Sequence, residues 1–193
     1  DNATEIVLVV DRSGSMKRVD DDNAGETRLD GAKRACRALI CNSQLPQPEG
    51  STTDPCSGEK IVTSPANPKG EFDRIAVVSY AGDENGAATH IHCGLVATRT
   101  EALGATDSIE ISEECGGEGK QYGCYTGIGG GIKVAYELLQ GKIDGYEGAR
   151  STDPRTAWPR KLIVVLTDGY ENVCDPDPEE ISTTIKADRL GEG

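Results

Sequence analysis

The sequence predicts one open α/β sheet, and three observations support this fold class. Residues 6–10 form a run that is apolar without alternation, as strands buried on both faces of a sheet are, and residues 162–166 form a second apolar run. Segments with helical spacing of apolar residues lie between these runs and after them. The chain of 193 residues is long enough for one domain with a substantial core. Ligands of such sheets bind at the carboxyl ends of the strands.

Local patterns place the individual elements. From Thr126 onward, Ile128, Ile132, Ala135 and Leu139 recur at helical spacing and predict one buried face. The last helix is indicated by proline and two acids in its first turn. The predicted order is a strand at 5–10, a helix from Arg28 to about Cys41, strands at 73–80 and 89–96, a helix from Thr126, a strand at 161–166 and a helix from Pro178 to about Leu190.

Two segments are predicted to be loop insertions within a single domain that spans residues 1–193. Residues 42–71 contain five prolines among serine, threonine and glycine, and residues 104–123 are rich in glycine and glutamate. The three consecutive glycines at 129–131 lie inside a predicted helix, where each costs about 1 kcal/mol in helix propensity. Their presence predicts close packing or close backbone approach at that position.

Three side chains with oxygen atoms leave the carboxyl end of the first predicted strand at alternate positions. Asp11, Ser13 and Ser15 can therefore converge on one hard cation. One carboxylate with two neutral hydroxyls suits Mg²⁺, which keeps several waters and binds few carboxylates. A strand followed by a polar turn is the simpler interpretation of this motif alone.

Two further segments favour the metal site. The second apolar run ends in Thr167-Asp168-Gly169, and Thr126 lies in a polar loop that opens a helix. With D-x-S-x-S at 11–15, these segments resemble the von Willebrand factor A family and its metal-ion-dependent adhesion site, from about residue 5 to the end of the chain. The five matched positions are Asp11, Ser13, Ser15, Thr126 and Asp168.

The resemblance implies a Rossmann-like, mostly parallel sheet flanked by helices, with the metal at its upper edge. It implies that Ser13 and Ser15, and in a high-affinity form Thr126, bind the cation directly. Asp11 and Asp168 would act mostly through water and orient the hydroxyls. Mg²⁺ is expected, with Ca²⁺ or Mn²⁺ as alternatives, and an open coordination position would accept a carboxylate from a partner protein.

The same resemblance implies that further strands follow the last helix. We therefore expect the fold within these 193 residues to be incomplete at its C-terminal side. The segment is expected to belong to a longer chain or an assembly that supplies the missing strands. An exposed sheet edge is otherwise an aggregation hazard, because its backbone groups are unpaired.

Charge and motif content argue against several classes of function. The 33 acids and 20 bases give a net charge of −13, which disfavours nucleic acid and anionic membrane surfaces as partners. No window approaches the roughly 18–20 apolar residues of a membrane span. Neither G-x-S-x-G nor a phosphate-binding G-x-x-x-x-G-K-[ST] loop occurs, so catalysis is not expected.

Seven cysteines indicate an oxidising compartment, and their odd number requires at least one unpaired in the chain. Cys36 is expected to be free because it lies on the apolar face of the first helix. Cys115–Cys124 and Cys41–Cys56 are the candidate disulfides. Metal binding by the cysteines is disfavoured because no C-x-x-C spacing occurs. His90 and His92 share a strand face, where a metal site is conceivable but an exposed strand is favoured.

The predicted function is that of an extracellular or cell-surface adhesion module, which could form part of a pilus, fibre or surface assembly. It would bind an acidic side chain of its partner through the cation. The alternative is a subunit of an intracellular ATP-driven machine, such as a metal chelatase. The cysteine content and the lack of an ATPase segment disfavour that alternative.

Overall fold

The computed structural model describes residues 4–19, 25–45, 53–59, 73–83, 86–96, 98–112, 125–146, 160–169 and 177–190. Within them lie β1 (Thr4–Asp11), a short 3₁₀ helix (Gly14–Lys17), α1 (Arg28–Asn42), β2 (Arg74–Asp83), β3 (Gly86–Val96), α2 (Arg99–Asp107), α3 (Ile128–Gln140), β4 (Arg160–Leu166) and α4 (Pro178–Leu190).

The described strands form one sheet in the spatial order β3-β2-β1-β4. β1 runs parallel to both of its neighbours, β2 and β4, and β3 is antiparallel to β2. The predicted mostly parallel α/β sheet is thereby confirmed. Val10 near the end of β1 lies opposite Leu166, the last residue of β4. Polar residues that follow these two strands therefore emerge side by side at one edge of the sheet.

Helices cover both faces of β1, so its side chains are buried in two directions. Val7 and Val9 pack toward α3, in a cluster with Tyr80 of β2. Leu8 and Val10 pack on the opposite side, with residues of α1 and α2. These four side chains of β1, from Val7 to Val10, are each 0% exposed. This double burial explains why the run is apolar without alternation.

Helix α2 corrects the sequence-based prediction. The predicted loop at 104–123 begins too early, because α2 runs from Arg99 to Asp107. Thr98 caps the helix by accepting a hydrogen bond from the backbone N–H of Glu101. Helix propensity gave a weak signal here, because Gly104 interrupts the segment. Burial of Ala102 and Leu103 against the core stabilises the helix instead.

The prediction of close packing at the glycine triplet is confirmed at Gly131. A Cβ atom at this position would lie 2.8 Å from Cδ1 of Tyr80 and 2.8 Å from Cγ1 of Val9. Neither neighbour can move freely, because both side chains are fully buried. The absence of a side chain at Gly131 therefore lets α3 approach the sheet directly beside the ends of β1 and β2.

We expect Gly131→Ala to destabilise the domain by about 1–3 kcal/mol, the usual cost of an extra methyl group in a packed core. The matched control is Gly104→Ala in α2, where a Cβ would meet nothing within 4 Å. That control should gain stability, by up to about 1 kcal/mol from helix propensity. Urea unfolding of both variants measures the difference, and equal stabilities would contradict the close packing.

β4 is bordered by a strand on one side only within the described part of the chain. β4 also carries Leu162, which is 47% exposed. A cavity of about 240 Å³ lies beside it, between α3 and α4, with Tyr136, Leu139, Lys161 and Ile185 in its wall. The expectation that further strands complete the fold stays a prediction.

Candidate metal centre

Asp11 ends β1 and organises the turn that follows it. The carboxylate is 0% exposed; its Oδ1 accepts a hydrogen bond from the backbone N–H of Ser13 at 2.8 Å. Its Oδ2 accepts from the Thr167 hydroxyl at 2.8 Å. Burial raises the pKa of Asp11, while these hydrogen bonds lower it and the charge of Asp168 raises it further. A cation at this position would offset both the cost of burying the charged Asp11 carboxylate and its repulsion from Asp168.

The 3₁₀ helix brings two serine hydroxyls to the same edge. The N–H of Met16 donates to the carbonyl of Ser13 at 3.0 Å, and the Met16 side chain is buried in the core. This anchor holds the turn against the domain. The Oγ atoms of Ser13 and Ser15 lie 3.1 Å apart, and Ser15 Oγ donates to Oδ1 of Asp168 at 2.7 Å.

Thr126 completes the group from the start of α3. The preceding residue, Tyr125, donates its N–H to the carbonyl of Gly82 at 3.0 Å, which ties this segment to the end of β2. Thr126 is 4% exposed, and its Oγ1 donates to Ser13 Oγ at the long distance of 3.5 Å. The structure thus brings all five sequence-predicted residues together, although up to 157 positions separate them along the chain.

The hydrogen bonds among the three hydroxyl groups leave lone pairs on their oxygen atoms. Ser15 gives its single hydrogen to Asp168, so Ser13 has to donate to Ser15, and Thr126 donates to Ser13. Each hydroxyl oxygen has two lone pairs, so the oxygens can still bind a cation. Gly169 borders the group without filling it, since a Cβ there would lie 3.4 Å from Thr126 Oγ1.

The donor set fits a hard cation that binds few carboxylates. It contains two carboxylates and three hydroxyls, all oxygen donors of the kind that Mg²⁺ and Ca²⁺ prefer. The described residues contain no group of three or more His, Cys, Asp or Glu side chains that could hold a metal ion. Binding at this centre would therefore depend on the neutral hydroxyls of Ser13, Ser15 and Thr126.

Two residues at the centre were not among the predicted site residues. Thr167 lies within the T-D-G motif and donates a hydrogen bond to Asp11. The motif that predicted Asp168 could therefore have indicated Thr167 as well. Arg28, the first residue of α1, places its Nη1 2.5 Å from Oδ2 of Asp168. The two residues are 140 positions apart, and no sequence pattern links them.

The histidine pair on β3 is a separate feature. His90 is exposed as predicted, but His92 is half-buried, which corrects the exposed-strand interpretation for that residue. Its Nε2 lies 2.8 Å from Ser79 Oγ and its Nδ1 lies 2.9 Å from Ser108 Oγ. Burial chiefly, with nearby positive groups, lowers the pKa of His92 to about 4. Both ring nitrogens are engaged, so His92 links β3 to β2 and to the C-terminal end of α2.

Comparison with known proteins decides the family. A family model of the von Willebrand factor type A domain matches residues 6–171. The chain belongs to this family. Von Willebrand factor A domains commonly mediate protein–protein interaction, so at this general level the chain is a protein-interaction module.

Other comparisons add little about this von Willebrand factor A domain. A search of curated proteins gives no significant match. Similar solved structures include an uncharacterized membrane-spanning protein from Vibrio fischeri, with 15% identity, a TM-score of 0.44, and coverage of 96% of this chain and 98% of that chain. No described helix is long and apolar enough to cross a membrane.

Proposed function

We propose that this domain binds a partner protein through a divalent cation, Mg²⁺ in the first place, with Ca²⁺ or Mn²⁺ as alternatives. The cation would be held among Asp11, Ser13, Ser15, Thr126 and Asp168. The observation that supports this most strongly is that five oxygen-bearing residues from three separate parts of the chain meet at one sheet edge.

The chemistry of the centre suits a partner carboxylate. Neutral hydroxyl ligands leave a bound divalent ion electron-poor, so that it can attract a further negatively charged oxygen. Asp11 and Asp168 orient the turn and the Ser15 hydroxyl through hydrogen bonds. The domain carries a net charge of −13 and would repel an acidic partner on its own. A metal bridge explains how such a domain could bind an acidic side chain.

We further propose that the domain works outside the cell or at its surface, and that a pilus, fibre or surface assembly is the setting. The disulfide between Cys41 and Cys56, one of the two predicted pairs, supports an oxidising compartment. Cys36 is free as predicted, and Cys93 is free as well. The predicted pair Cys115–Cys124 lies outside the described residues.

Thiol labelling tests the compartment. Protein isolated without reductant and then denatured should show labelled Cys36 and Cys93 but unlabelled Cys41 and Cys56. Denaturation is required, because burial raises the pKa of Cys36 to about 12 and that of Cys93 to about 11. Seven labelled thiols would favour the alternative, a subunit of an intracellular ATP-driven machine.

Partner binding tests the metal bridge itself. The probe is a peptide array in which each Asp- or Glu-containing peptide is paired with its Asn or Gln counterpart. Binding is expected only to the carboxylate member of a pair, in Mg²⁺ and not in EDTA. Thr126→Ala should weaken it by about tenfold or more, as loss of a metal-site residue does.

The control for that variant is Thr100→Ala, which changes an exposed threonine on α2 and should bind like wild type. Both variants should melt cooperatively in EDTA, which shows that the loss at Thr126 is not unfolding. Undiminished peptide binding in EDTA would reject the metal bridge and leave the family assignment intact.

A further inference from the structure

Arg28 places a positive charge at the candidate metal centre, on the carboxylate that Ser15 also contacts. Oδ1 of Asp168 accepts the Ser15 hydroxyl at 2.7 Å, and Oδ2 faces Nη1 of Arg28 at 2.5 Å. The Asp168 side chain is 11% exposed and that of Arg28 is 29% exposed. Water therefore screens this ion pair less than it screens a fully exposed pair.

The backbone of Arg28 is held in place by its neighbours. Thr27 and Asp30 form a reciprocal capping box at the start of α1. Thr27 also pairs with Val19 in an isolated β-bridge, and the Arg28 N–H donates to the carbonyl of Arg18 at 2.9 Å. These contacts fix the backbone from which the guanidinium extends. The positive charge is therefore held beside the candidate metal centre.

We propose that Arg28 is a positioning residue that weakens cation binding at this centre and fixes the orientation of the Asp168 carboxylate. The proposal rests on the proposed function, because it concerns the same cation. Arg28 engages Oδ2 while Ser15 engages Oδ1, so both oxygens of Asp168 already accept a hydrogen bond, and each keeps one further lone pair. The guanidinium charge also opposes the approach of any cation.

The charge balance gives this arrangement a consequence for partner binding. Asp11, Asp168 and Arg28 together carry one negative charge when both carboxylates are ionised. With a divalent cation bound, the centre would carry one positive charge, which attracts a partner carboxylate. Without Arg28 the loaded centre would be neutral. Arg28 thus lowers affinity for the free cation and raises the attraction of the loaded centre for an acidic partner.

Calorimetric titration with Mg²⁺ and Mn²⁺ tests the proposal on the wild type, Arg28→Gln and Arg28→Met. Both variants should bind each cation about tenfold more tightly, because a unit positive charge beside the centre is removed. The variant Arg28→Met keeps a long apolar side chain and provides a second neutral replacement if Arg28→Gln folds poorly. A melt in EDTA establishes folding before each titration.

The matched control is Arg37→Gln, which removes the same charge from the same helix. Arg37 pairs with Asp107, at 2.5 Å, and lies nine positions further along α1. That spacing corresponds to about 13.5 Å along a helix, beyond the screening length of about 8 Å at physiological salt. The cation affinity of the Arg37→Gln variant should stay within about twofold of wild type at physiological salt.

The outcomes test the role of Arg28 separately from the existence of the metal centre. Tighter binding in the neutral Arg28 variants, with Arg37→Gln unchanged, supports the role of Arg28. Equal or weaker binding in those variants overturns it while the metal centre stands, since the wild type still binds. If neither the wild type nor any variant binds Mg²⁺ or Mn²⁺, the metal centre and the role of Arg28 both fail.

Discussion

Removal of the Cys41–Cys56 disulfide is expected to cost about 3 kcal/mol of stability, the value for a closed loop of this length. The bond joins residues 15 positions apart, at the end of α1 and in the segment 53–59. Both cysteines pack against the core cluster, so the cross-link also holds that segment on the domain. For a domain of this size the loss corresponds to a fall in Tm of about 6–12 °C.

The variant for this experiment is the double substitution Cys41→Ala and Cys56→Ala, compared with oxidised wild type by thermal melting. Alanine is chosen because it places no new polar group against the core. Cys93→Ala is the control, since Cys93 is free and its removal breaks no cross-link. A double variant as stable as oxidised wild type would show that the bond does not stabilise the domain.

Saturating Mg²⁺ is expected to raise the free energy of unfolding by about 2.7 kcal/mol at a concentration 100 times the dissociation constant. The reason is that the folded centre assembles five oxygen-bearing residues that are far apart in the unfolded chain. The corresponding rise in Tm is about 5–11 °C, and melts in Mg²⁺ and in EDTA measure it.

Asp11→Ala should abolish the response to Mg²⁺. The substitution also leaves the Ser13 N–H and the Thr167 hydroxyl without their acceptor, so its melting temperature in EDTA will fall as well. The informative quantity is therefore the difference between the two buffers for each protein. Asp107→Ala, an exposed carboxylate on α2, should keep the wild-type response. Identical wild-type melts in both buffers would contradict cation binding.

The outline of the fold and the predicted site residues could be read from the sequence because their signals are local. β1 is buried on both faces, and double burial produces an apolar run that needs no structural context to recognise. Asp11 follows this run directly, Asp168 lies two positions beyond the second apolar run, and the parallel pairing of β1 with β4 brings both carboxyl ends to the same edge. The meeting of the predicted residues followed from strand order and family pattern together.

Other features depended on the packed structure, because their partners are remote in sequence. Helix α2 has weak propensity at Gly104 and is stabilised by burial of Ala102 and Leu103 against the core. The environment of His92 depends on Ser79 of β2 and Ser108 beyond α2. Neither the burial of α2 nor the contacts of His92 produce a periodic pattern of residues that the sequence alone would reveal.

The sequence by itself determined the α/β class, the approximate positions of the strands and the set of oxygen-bearing residues proposed for the candidate centre. Only the tertiary structure decided that Arg28 joins them, because an ion pair across 140 positions has no local signature. It also decided that Gly131 must lack a side chain, since Tyr80 and Val9 fill that space from another element. Local patterning specifies elements, whereas their packing specifies which charges and surfaces meet.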